Sequence, residues 1–482
     1  MAEMRASTLD GGAVARWSEE IWERSIVPEL TRYIANPCKS PAFDAEWQKH
    51  GYIEEAVAQI ETWCRACPIP GLTVEVIRLA GRTPLLYMEV PARTPAAAAD
   101  TVVLYGHLDK QPEMVGWREG LGPWAPVRAG DKLYGRGGGD DGYSAFAALA
   151  AIEALHKFGG IHARLAIIIE ACEESGSYDL PAYIDALKDR IGTPTLVIAL
   201  DSGAGNYDQL WSTTSLRGLV AATLKIDILT EGVHSGAASG IVPSTFRIAR
   251  LLLDRIEDAK TGKVRLESAH VKIPPQRAAQ AKRMASALKG EIEKSYPFVK
   301  GARPMAAKRA DLILNRTWRP TLSVIGQAGM PAVENAGNVL RPSTTLVLSV
   351  RIPAGADPDA VAKELKATLM RKPPYGAKVA VAVGWGAKGW NAPPLAPWLE
   401  IATDAASRRY FGKPAMYMGE GGTIPFMAML GDKFPKAQFL ITGVLGPHSN
   451  AHGPNEFLHI PTAKKLTGAI ADVLDAHARR ER

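Results

Sequence analysis

The chain has 482 residues, of which 46% are hydrophobic and 22% are charged, and it carries a net charge of +7 at pH 7. This composition is typical of a folded globular protein and excludes general disorder. No apolar run approaches the ~18 residues of a membrane-spanning helix, and no basic stripe is interleaved with aromatic residues. We therefore expect neither a membrane nor a nucleic acid as a partner.

The N-terminal segment and the cysteines predict a cytoplasmic location. Residues 1–22 carry mixed charges and lack the apolar core of a secretory signal. Four cysteines in a chain of this length do not indicate a disulfide framework. Cys64 and Cys67 form a single CxxC on a helical pattern. Without a second pair or nearby histidines, we interpret them as ordinary helix residues.

The first 213 residues alternate between helical and strand patterns. The predicted helices cover residues 17–35, 45–66, 143–158 and 180–191, and the predicted strands cover residues 72–79, 85–90, 101–107, 163–171 and 195–201. From residue 101 onward, strands alternate with helices. This order indicates βαβ units and a mostly parallel sheet.

The pattern changes after about residue 214. The predicted strands there cover residues 219–229, 321–329, 343–353 and 377–386, and the predicted helices cover residues 244–256, 274–294 and 358–369. Such a β-α-β-β-α-β order suggests a smaller domain with one open sheet. A helical pattern over residues 391–412 and an apolar strand over residues 437–444 follow. The simplest architecture is one α/β domain interrupted by an inserted α+β domain.

Acidic and imidazole side chains lie where strands of the α/β domain end, or in the glycine-rich loops beside them. They are His107, Asp109, Asp140, Asp141, Glu173, Glu174, Asp201 and His452. In open α/β sheets, ligands bind beyond the carboxyl ends of the strands. Each residue alone has an ordinary structural interpretation, but burying so many carboxylates together is costly unless cations neutralise them. Because Asp, Glu and His are ligands of zinc and manganese, the pattern indicates a metal site.

The glycine-rich segment GRGGGDDG does not indicate a phosphate site. Asp140 and Asp141 follow the glycines directly and would repel phosphate, and no Gly-Lys-Ser/Thr sequence or Rossmann spacing is present. We interpret the glycines as residues that permit a tight backbone path and direct Asp140 into the site. The absence of a GxSxG sequence argues against a serine hydrolase.

Short motifs follow one another between about residue 100 and residue 460: YGHLDKQP, KLYGRGGGDDG, EACEESGS, LD, EGVHSG, WRPTLSVIG, VRIP, GEGGTIP and AHGPNE. Together they resemble the M20 metallopeptidases, in particular the branch of carnosinase-like and cytosolic non-specific dipeptidases. The resemblance implies a mostly parallel-sheet catalytic domain, residues 1–213 and 390–482, interrupted by an inserted α+β lid and dimerisation domain, residues 214–389.

The resemblance also implies two divalent metal ions, with zinc as the first choice and manganese or cobalt as alternatives. Asp140 would bridge both ions. Glu174 and His452 would complete the ligand shell of one ion, and His107 and Asp201 that of the other.

The loop of His452 contains a second histidine, and another motif departs from the family. His448 stands four residues earlier, but the flanking glycines and prolines argue against a helix that would bring both imidazoles to one metal. The A-H-x-x-N-E pattern matches His452, and His448 stays the alternative ligand. The family often has Asp-Asp-Lys-Gly where residues 140–143 are DDGY, so a basic side chain beside the site is missing.

Catalytic and substrate-binding roles follow from the same resemblance. Glu173 would act as the general base, and Asp109 would orient the imidazole of His107. His234 of the inserted domain would polarise the scissile carbonyl in the neighbouring subunit of a homodimer. The peptide bond after Asp140 is expected to be cis. The groups that would hold the substrate carboxylate belong to Arg351, Asn338, Gly422 and Thr423.

The sequence thus predicts a binuclear metal-dependent hydrolase that cleaves the amide bond of dipeptides or short peptides with a free C-terminal carboxylate. An N-acyl-amino-acid amidohydrolase would bind the same carboxylate, but the long inserted domain and its WRPTLSVIG motif favour a dipeptidase. A non-catalytic binding protein that kept the fold is a weaker alternative, because the ligand set and the general base are complete.

Overall fold

A computed structural model describes residues 7–481, which form two compact units. The first unit comprises residues 7–214, 392–418 and 429–481, and the second comprises residues 215–391 and 419–428. Within the described range, no helix combines the length and the apolar character needed to span a membrane. The catalytic and lid roles of the predicted domains stay predictions.

The strands are, in chain order, β1 (Thr73–Ile77), β2 (Leu85–Val90), β3 (Thr101–His107), β4 (Val127–Ala129), β5 (Lys132–Tyr134), β6 (Arg164–Glu170), β7 (Pro194–Ala199), β8 (Trp211–Leu216), β9 (Gly218–Asp227), β10 (Val233–His234), β11 (Thr321–Ala328), β12 (Val339–Leu340), β13 (Ser343–Ile352), β14 (Lys378–Ala387), β15 (Trp390–Asn391), β16 (Met416–Glu420), β17 (Gln438–Ile441) and β18 (Phe457–His459).

The helices are α1 (Gly11–Ile21), α2 (Val27–Ala35), α3 (Trp47–His50), α4 (Tyr52–Arg65), α5 (Ser144–Lys157), α6 (Leu180–Ala186), α7 (Lys188–Ile191), α8 (Ser235–Ala238), α9 (Thr245–Leu253), α10 (Pro275–Leu288), α11 (Glu291–Lys294), α12 (Arg309–Thr317), α13 (Pro358–Met370), α14 (Pro397–Phe411), α15 (Pro425–Lys433) and α16 (Ile460–Arg479). A wider helical turn covers Trp22–Ile26. The segment Gly138–Gly142 is kinked, because Asp140 and Asp141 have non-helical backbone angles.

The main sheet has the predicted parallel centre. Its strands run in the order β1-β2-β6-β3-β7-β17-β8. β3 is parallel to β6 and β7, and β17 is parallel to β7, whereas the pairs β1–β2, β2–β6 and β17–β8 are antiparallel. The sheet is therefore mixed, with four adjacent parallel strands at its centre.

The core of the first unit explains why its central strands are apolar along their whole length. β3 is buried at every position, as expected for a strand covered on both faces. α5 is buried from Ser144 to Leu155 and packs against β3 and β6. The C-terminal helix α16 contacts α1, α5 and α14, which completes this core.

The second unit contains a four-stranded antiparallel sheet in the order β11-β13-β9-β14. Buried and less buried side chains alternate along β9, which is the pattern of a strand with one covered face. The covered face packs against α9 and α13. The order of strands and helices along the chain agrees with the predicted inserted α+β domain.

Candidate metal centre and active site

The parallel strands bring the candidate residues to one edge of the main sheet. β3 ends at His107, Glu173 and Glu174 follow β6, and Asp201 follows β7. His452 lies in the loop after β17. Because these four strands run in one direction, their carboxyl ends meet at the same edge.

Five side chains at this edge form two groups that share Asp140. In the first group, His107 Nε2 lies 3.4 Å from Asp140 Oδ1 and 3.9 Å from Asp201 Oδ2. In the second group, His452 Nε2 lies 3.0 Å from Asp140 Oδ2 and 3.4 Å from Glu174 Oε2. Within each group the potential ligand atoms lie within 4.8 Å of one another. The structure therefore brings together all five residues predicted as metal ligands.

The orientation of His107 fits a metal ion. Its Nδ1 donates a hydrogen bond to the backbone carbonyl of Asp109 at 3.1 Å. Its Nε2 is buried and has no hydrogen-bond partner in the described part of the chain. A neutral imidazole that donates through Nδ1 presents its lone pair on Nε2, the atom that would bind a metal. A divalent cation between the first group's side chains would satisfy this atom.

The pKa shifts of the carboxyl groups in the site also fit the binding of cations. Burial raises the pKa of Asp201 to about 6, and the charge of Asp140 adds to this effect. Burial raises the pKa values of Glu173 and Glu174 well above their usual range, and neighbouring carboxylates contribute. Burial also acts to raise the pKa of Asp140. The imidazoles of His107 and His452 outweigh this effect and hold the pKa of Asp140 below its usual range. Divalent cations would stabilise these carboxylates in their charged forms.

Asp109 contacts the turn of Glu173 and Glu174 in addition to the His107 imidazole that it is predicted to orient. Its carboxylate Oδ1 lies 3.6 Å from His107 Nδ1, beyond hydrogen-bond distance. Its two oxygens instead accept hydrogen bonds from the backbone N–H groups of Glu173 and Glu174, at 3.1 and 3.0 Å. Asp109 therefore fixes the turn that carries both glutamates and holds the imidazole through its own carbonyl. Sequence reasoning also missed Gln111, whose Nε2 donates to Glu174 Oε2 at 2.6 Å.

Two tyrosines surround the position where the family often has a lysine. A Cβ atom at Gly142 would lie 2.1 Å from a ring carbon of Tyr33, so a larger residue does not fit beside this ring. The Tyr33 hydroxyl donates to the carbonyl of Leu108 at 2.7 Å, and the Tyr143 hydroxyl donates to the carbonyl of Leu200. The tyrosines therefore fix the ends of β3 and β7 that lead into the site.

The loop after β17 separates the two candidate histidines. His448 and His452 both have positive φ angles, 65° and 64°, so the segment is not helical. His448 is exposed and belongs to neither ligand group among the described residues. The peptide bond between Asp140 and Asp141 is cis.

A buried ion pair joins the two loops that complete the second ligand group. Arg136 Nη1 contacts the carboxylate of Glu456, and the two side chains are 1% and 0% exposed. Glu456 Oε1 also accepts a hydrogen bond from the Gly137 N–H at 2.8 Å, and Arg136 Nη2 donates to the Gly453 carbonyl at 2.9 Å. The motifs GRGGGDDG and AHGPNE contain these residues, but nothing in the sequence showed that they pair.

Replacing Glu456 by Gln should destabilise the protein by about 3–5 kcal/mol, because a buried guanidinium then lacks its counter-charge. Urea unfolding of the metal-free protein measures this loss. Glu46→Gln is the matched control, because Glu46 forms an exposed ion pair with Lys49, and such pairs contribute little. Equal urea midpoints for the two variants would show that the buried pair does not hold the loops together.

The remaining candidates lie in the second unit. His234 ends β10, which pairs with β12, and the next residue's N–H donates to the Asn338 carbonyl at 2.8 Å. The side chains of His234 and Asn338 are exposed. Arg351 Nη1 donates to Thr423 Oγ1 at 3.0 Å, and a Cβ at Gly422 would meet no atom of the described residues within 4 Å. The catalytic role of His234 and the carboxylate-binding roles of Asn338, Arg351, Gly422 and Thr423 stay predictions.

A sequence model of peptidase family M20/M25/M40 matches residues 103–476, well over half of the chain. The chain belongs to this family. The two ligand groups of this M20 protein are thus candidate sites for the divalent metals that M20 metallopeptidases use.

Curated relatives and solved structures resemble this M20 protein along most of its length. It is 27% identical to the cysteinylglycine-S-conjugate dipeptidase of Corynebacterium striatum over 390 residues, 78% of the chain and 82% of that protein. It is 25% identical to the human β-Ala-His dipeptidase over 394 residues, 78% and 75% of the two chains. The di-peptidase Dug1p of Saccharomyces cerevisiae has the same fold, with a TM-score of 0.76 and 19% identity over 98% of this chain and 99% of that one.

Proposed function

We propose that the protein is a binuclear metal-dependent dipeptidase that requires a free C-terminal carboxylate on its substrate. The observation that carries this proposal is the pair of ligand groups that share Asp140, beside a turn that also carries a glutamate outside both groups, Glu173. The names of the two curated relatives support the substrate class, because both specify dipeptidases.

His107, Asp140 and Asp201 would hold one cation, and Asp140, Glu174 and His452 the other. Divalent cations, with zinc first, would act there as Lewis acids that polarise the scissile carbonyl and acidify the attacking water.

Glu173 is the proposed general base. It would accept the proton of the attacking water and deliver it to the leaving nitrogen, a role that typically contributes ~10²–10⁴-fold to the rate. The hydrogen bond from its backbone N–H to Asp109 supports this assignment, because it fixes the turn from which the carboxylate projects. Glu174 lies on the same turn but belongs to the second ligand group.

Arg351 is the proposed partner of the substrate's C-terminal carboxylate. A guanidinium can bind a carboxylate through two parallel hydrogen bonds. Thr423 accepts a hydrogen bond from Arg351 and donates through the same oxygen to the Arg217 carbonyl at 2.7 Å, which supports a fixed geometry for this group. Asn338 and Gly422 are proposed to complete the carboxylate site.

We also propose a homodimer in the cytoplasm. Large apolar side chains of the second unit are exposed, including Ile241 at 83% and Val333 at 90%, and exposed apolar surface of this kind supports an association surface. All four cysteines are free thiols in the structure, which supports a reducing compartment.

A substrate panel tests the proposed function. Zinc-supplemented protein should hydrolyse Ala-Ala, should act far more weakly on the C-terminal amide Ala-Ala-NH₂, and should lose activity on chelation. The amide lacks the charge that Arg351 would bind, whereas its scissile bond is unchanged. A preference for N-acetyl-alanine over Ala-Ala would instead indicate an N-acyl-amino-acid amidohydrolase. The absence of any metal-dependent hydrolysis would contradict both activities.

A further inference from the structure

Three arginines of the second unit converge on the segment Gly421–Thr423. Arg217 lies between β8 and β9, Arg316 lies on α12, and Arg351 lies near the end of β13. A Cβ atom at Gly421 would lie 3.0 Å from Arg316 Cγ and 3.2 Å from Arg217 Nη2. The guanidinium of Arg217 and the aliphatic stem of Arg316 therefore both lie beside this glycine, two residues from the Thr423 hydroxyl that Arg351 contacts.

None of these three arginines forms an ion pair with a carboxylate of the described residues. Arg217 is 8% exposed and donates only to neutral acceptors, among them the Gly421 carbonyl at 3.2 Å and Thr321 Oγ1 at 2.9 Å. By contrast, Arg319, from the segment that follows α12, pairs with Asp311 at 3.0 Å.

Arg316 carries the clearest unmet hydrogen-bonding capacity of the cluster. Its Nε is buried and has no hydrogen-bond partner among residues 7–481. Burial, together with the charges of Arg351 and Arg316, lowers the pKa of Arg217 to about 10. Like charges brought together with unpaired donors are unfavourable unless an anion binds between them.

One substrate carboxylate does not neutralise the positive charges of all three arginines. In the proposed function the C-terminal carboxylate binds Arg351 and Thr423, which leaves the guanidinium groups of Arg217 and Arg316 without a counter-charge. We propose that Arg217 and Arg316 form a second anion subsite, which binds an acidic side chain of the substrate's C-terminal residue. This inference rests on the proposed function and names its substrate class: dipeptides that end in aspartate or glutamate.

Kinetics with matched dipeptides test the subsite. Ala-Glu and Ala-Gln have nearly the same shape, so the ratio of their kcat/KM values isolates the side-chain charge. We expect the wild-type protein to favour Ala-Glu by about tenfold or more, the effect of hydrogen bonds to a charged group. Added salt should reduce this ratio, because ions screen a partly exposed charge pair.

Variants of α12 and its C-terminal extension attribute this preference to one side chain. Arg316→Gln should bring the Ala-Glu to Ala-Gln ratio close to one, whereas Arg316→Lys, which keeps the charge, should retain part of it. Arg319→Gln is the matched control and should keep the wild-type ratio, because Arg319 already has a carboxylate partner.

The outcomes separate this inference from the proposed function. Hydrolysis of Ala-Ala and Ala-Gln without a preference for Ala-Glu or Ala-Asp would overturn the anion subsite and leave the dipeptidase proposal intact. A preference that survives Arg316→Gln would overturn the assignment to Arg316. Failure to hydrolyse any dipeptide, Ala-Ala included, would overturn the proposed function and this inference with it.

Discussion

Glu173→Gln should lower kcat by about 10²–10⁴-fold while the metal content of the protein stays the same. The amide cannot accept a proton, but it keeps the size of the side chain. The backbone N–H of residue 173 still donates to Asp109, so the turn keeps its geometry. Steady-state kinetics on Ala-Ala and elemental analysis of the same sample measure the two quantities.

Glu174→Gln is the matched control on the adjacent residue. Glu174 Oε2 lies 3.4 Å from His452 Nε2 in the second ligand group, so this change should weaken metal binding as well as activity. If Glu173→Gln lost metal and Glu174→Gln kept it, the assignments of the two glutamates would have to be exchanged.

His234→Ala should also nearly abolish activity, and a Glu173→Ala subunit should rescue it. Removal of one group that stabilises the developing oxyanion typically costs ~10²–10³-fold in kcat. We predict that each site of the homodimer combines Glu173 of one subunit with His234 of the other. Random exchange of the two inactive homodimers makes about half of the dimers hybrid, each with one intact site of two. About a quarter of the wild-type activity should therefore return.

The control for this experiment is the exchange itself. Each variant incubated alone should stay inactive, and differently tagged subunits should show that hybrid dimers have formed. Demonstrated exchange without recovered activity would place His234 in the site of its own subunit or outside catalysis.

The central strands could be predicted from the sequence because their signal is local. β3, β6 and β7 are short apolar runs between helical patterns, and the structure has them within two residues of the predicted bounds. β8 was missed because its sequence WSTTSL is rich in Ser and Thr, although every residue of it is buried. It pairs with β17 through Thr213 and with β15 through Ser215 and Leu216, and a local pattern does not reveal such long-range partners.

The observed helix boundaries differ from the predicted ones where a single residue interrupts or caps the helical backbone. The helix predicted over residues 45–66 is divided into α3 and α4 at Gly51, whose φ of 77° is not helical. The helix predicted from residue 17 begins at Gly11, where the Asp10 side chain accepts a hydrogen bond from the Ala13 N–H. The C-terminal helix α16 was not predicted, although it completes the core of the first unit.

Some features of the candidate site could likewise be predicted from the sequence, and others could not. The residues at strand ends were found because parallel strands place their carboxyl ends together. The pairing of Arg136 with Glu456 joins residues 320 positions apart, and the contact of Gln111 with Glu174 joins residues 63 positions apart. Such contacts depend on the folded chain, so the sequence showed the motifs without the network that supports them.

Titration of the metal-free protein with Zn²⁺ tests the two-metal account most directly. Calorimetry should show about two ions bound per chain, with activity restored as they bind. Asp201→Asn should bind about one ion, because the group of Asp140, Glu174 and His452 remains complete. A wild-type protein that is fully active with one ion per chain, or with none, would contradict the binuclear centre.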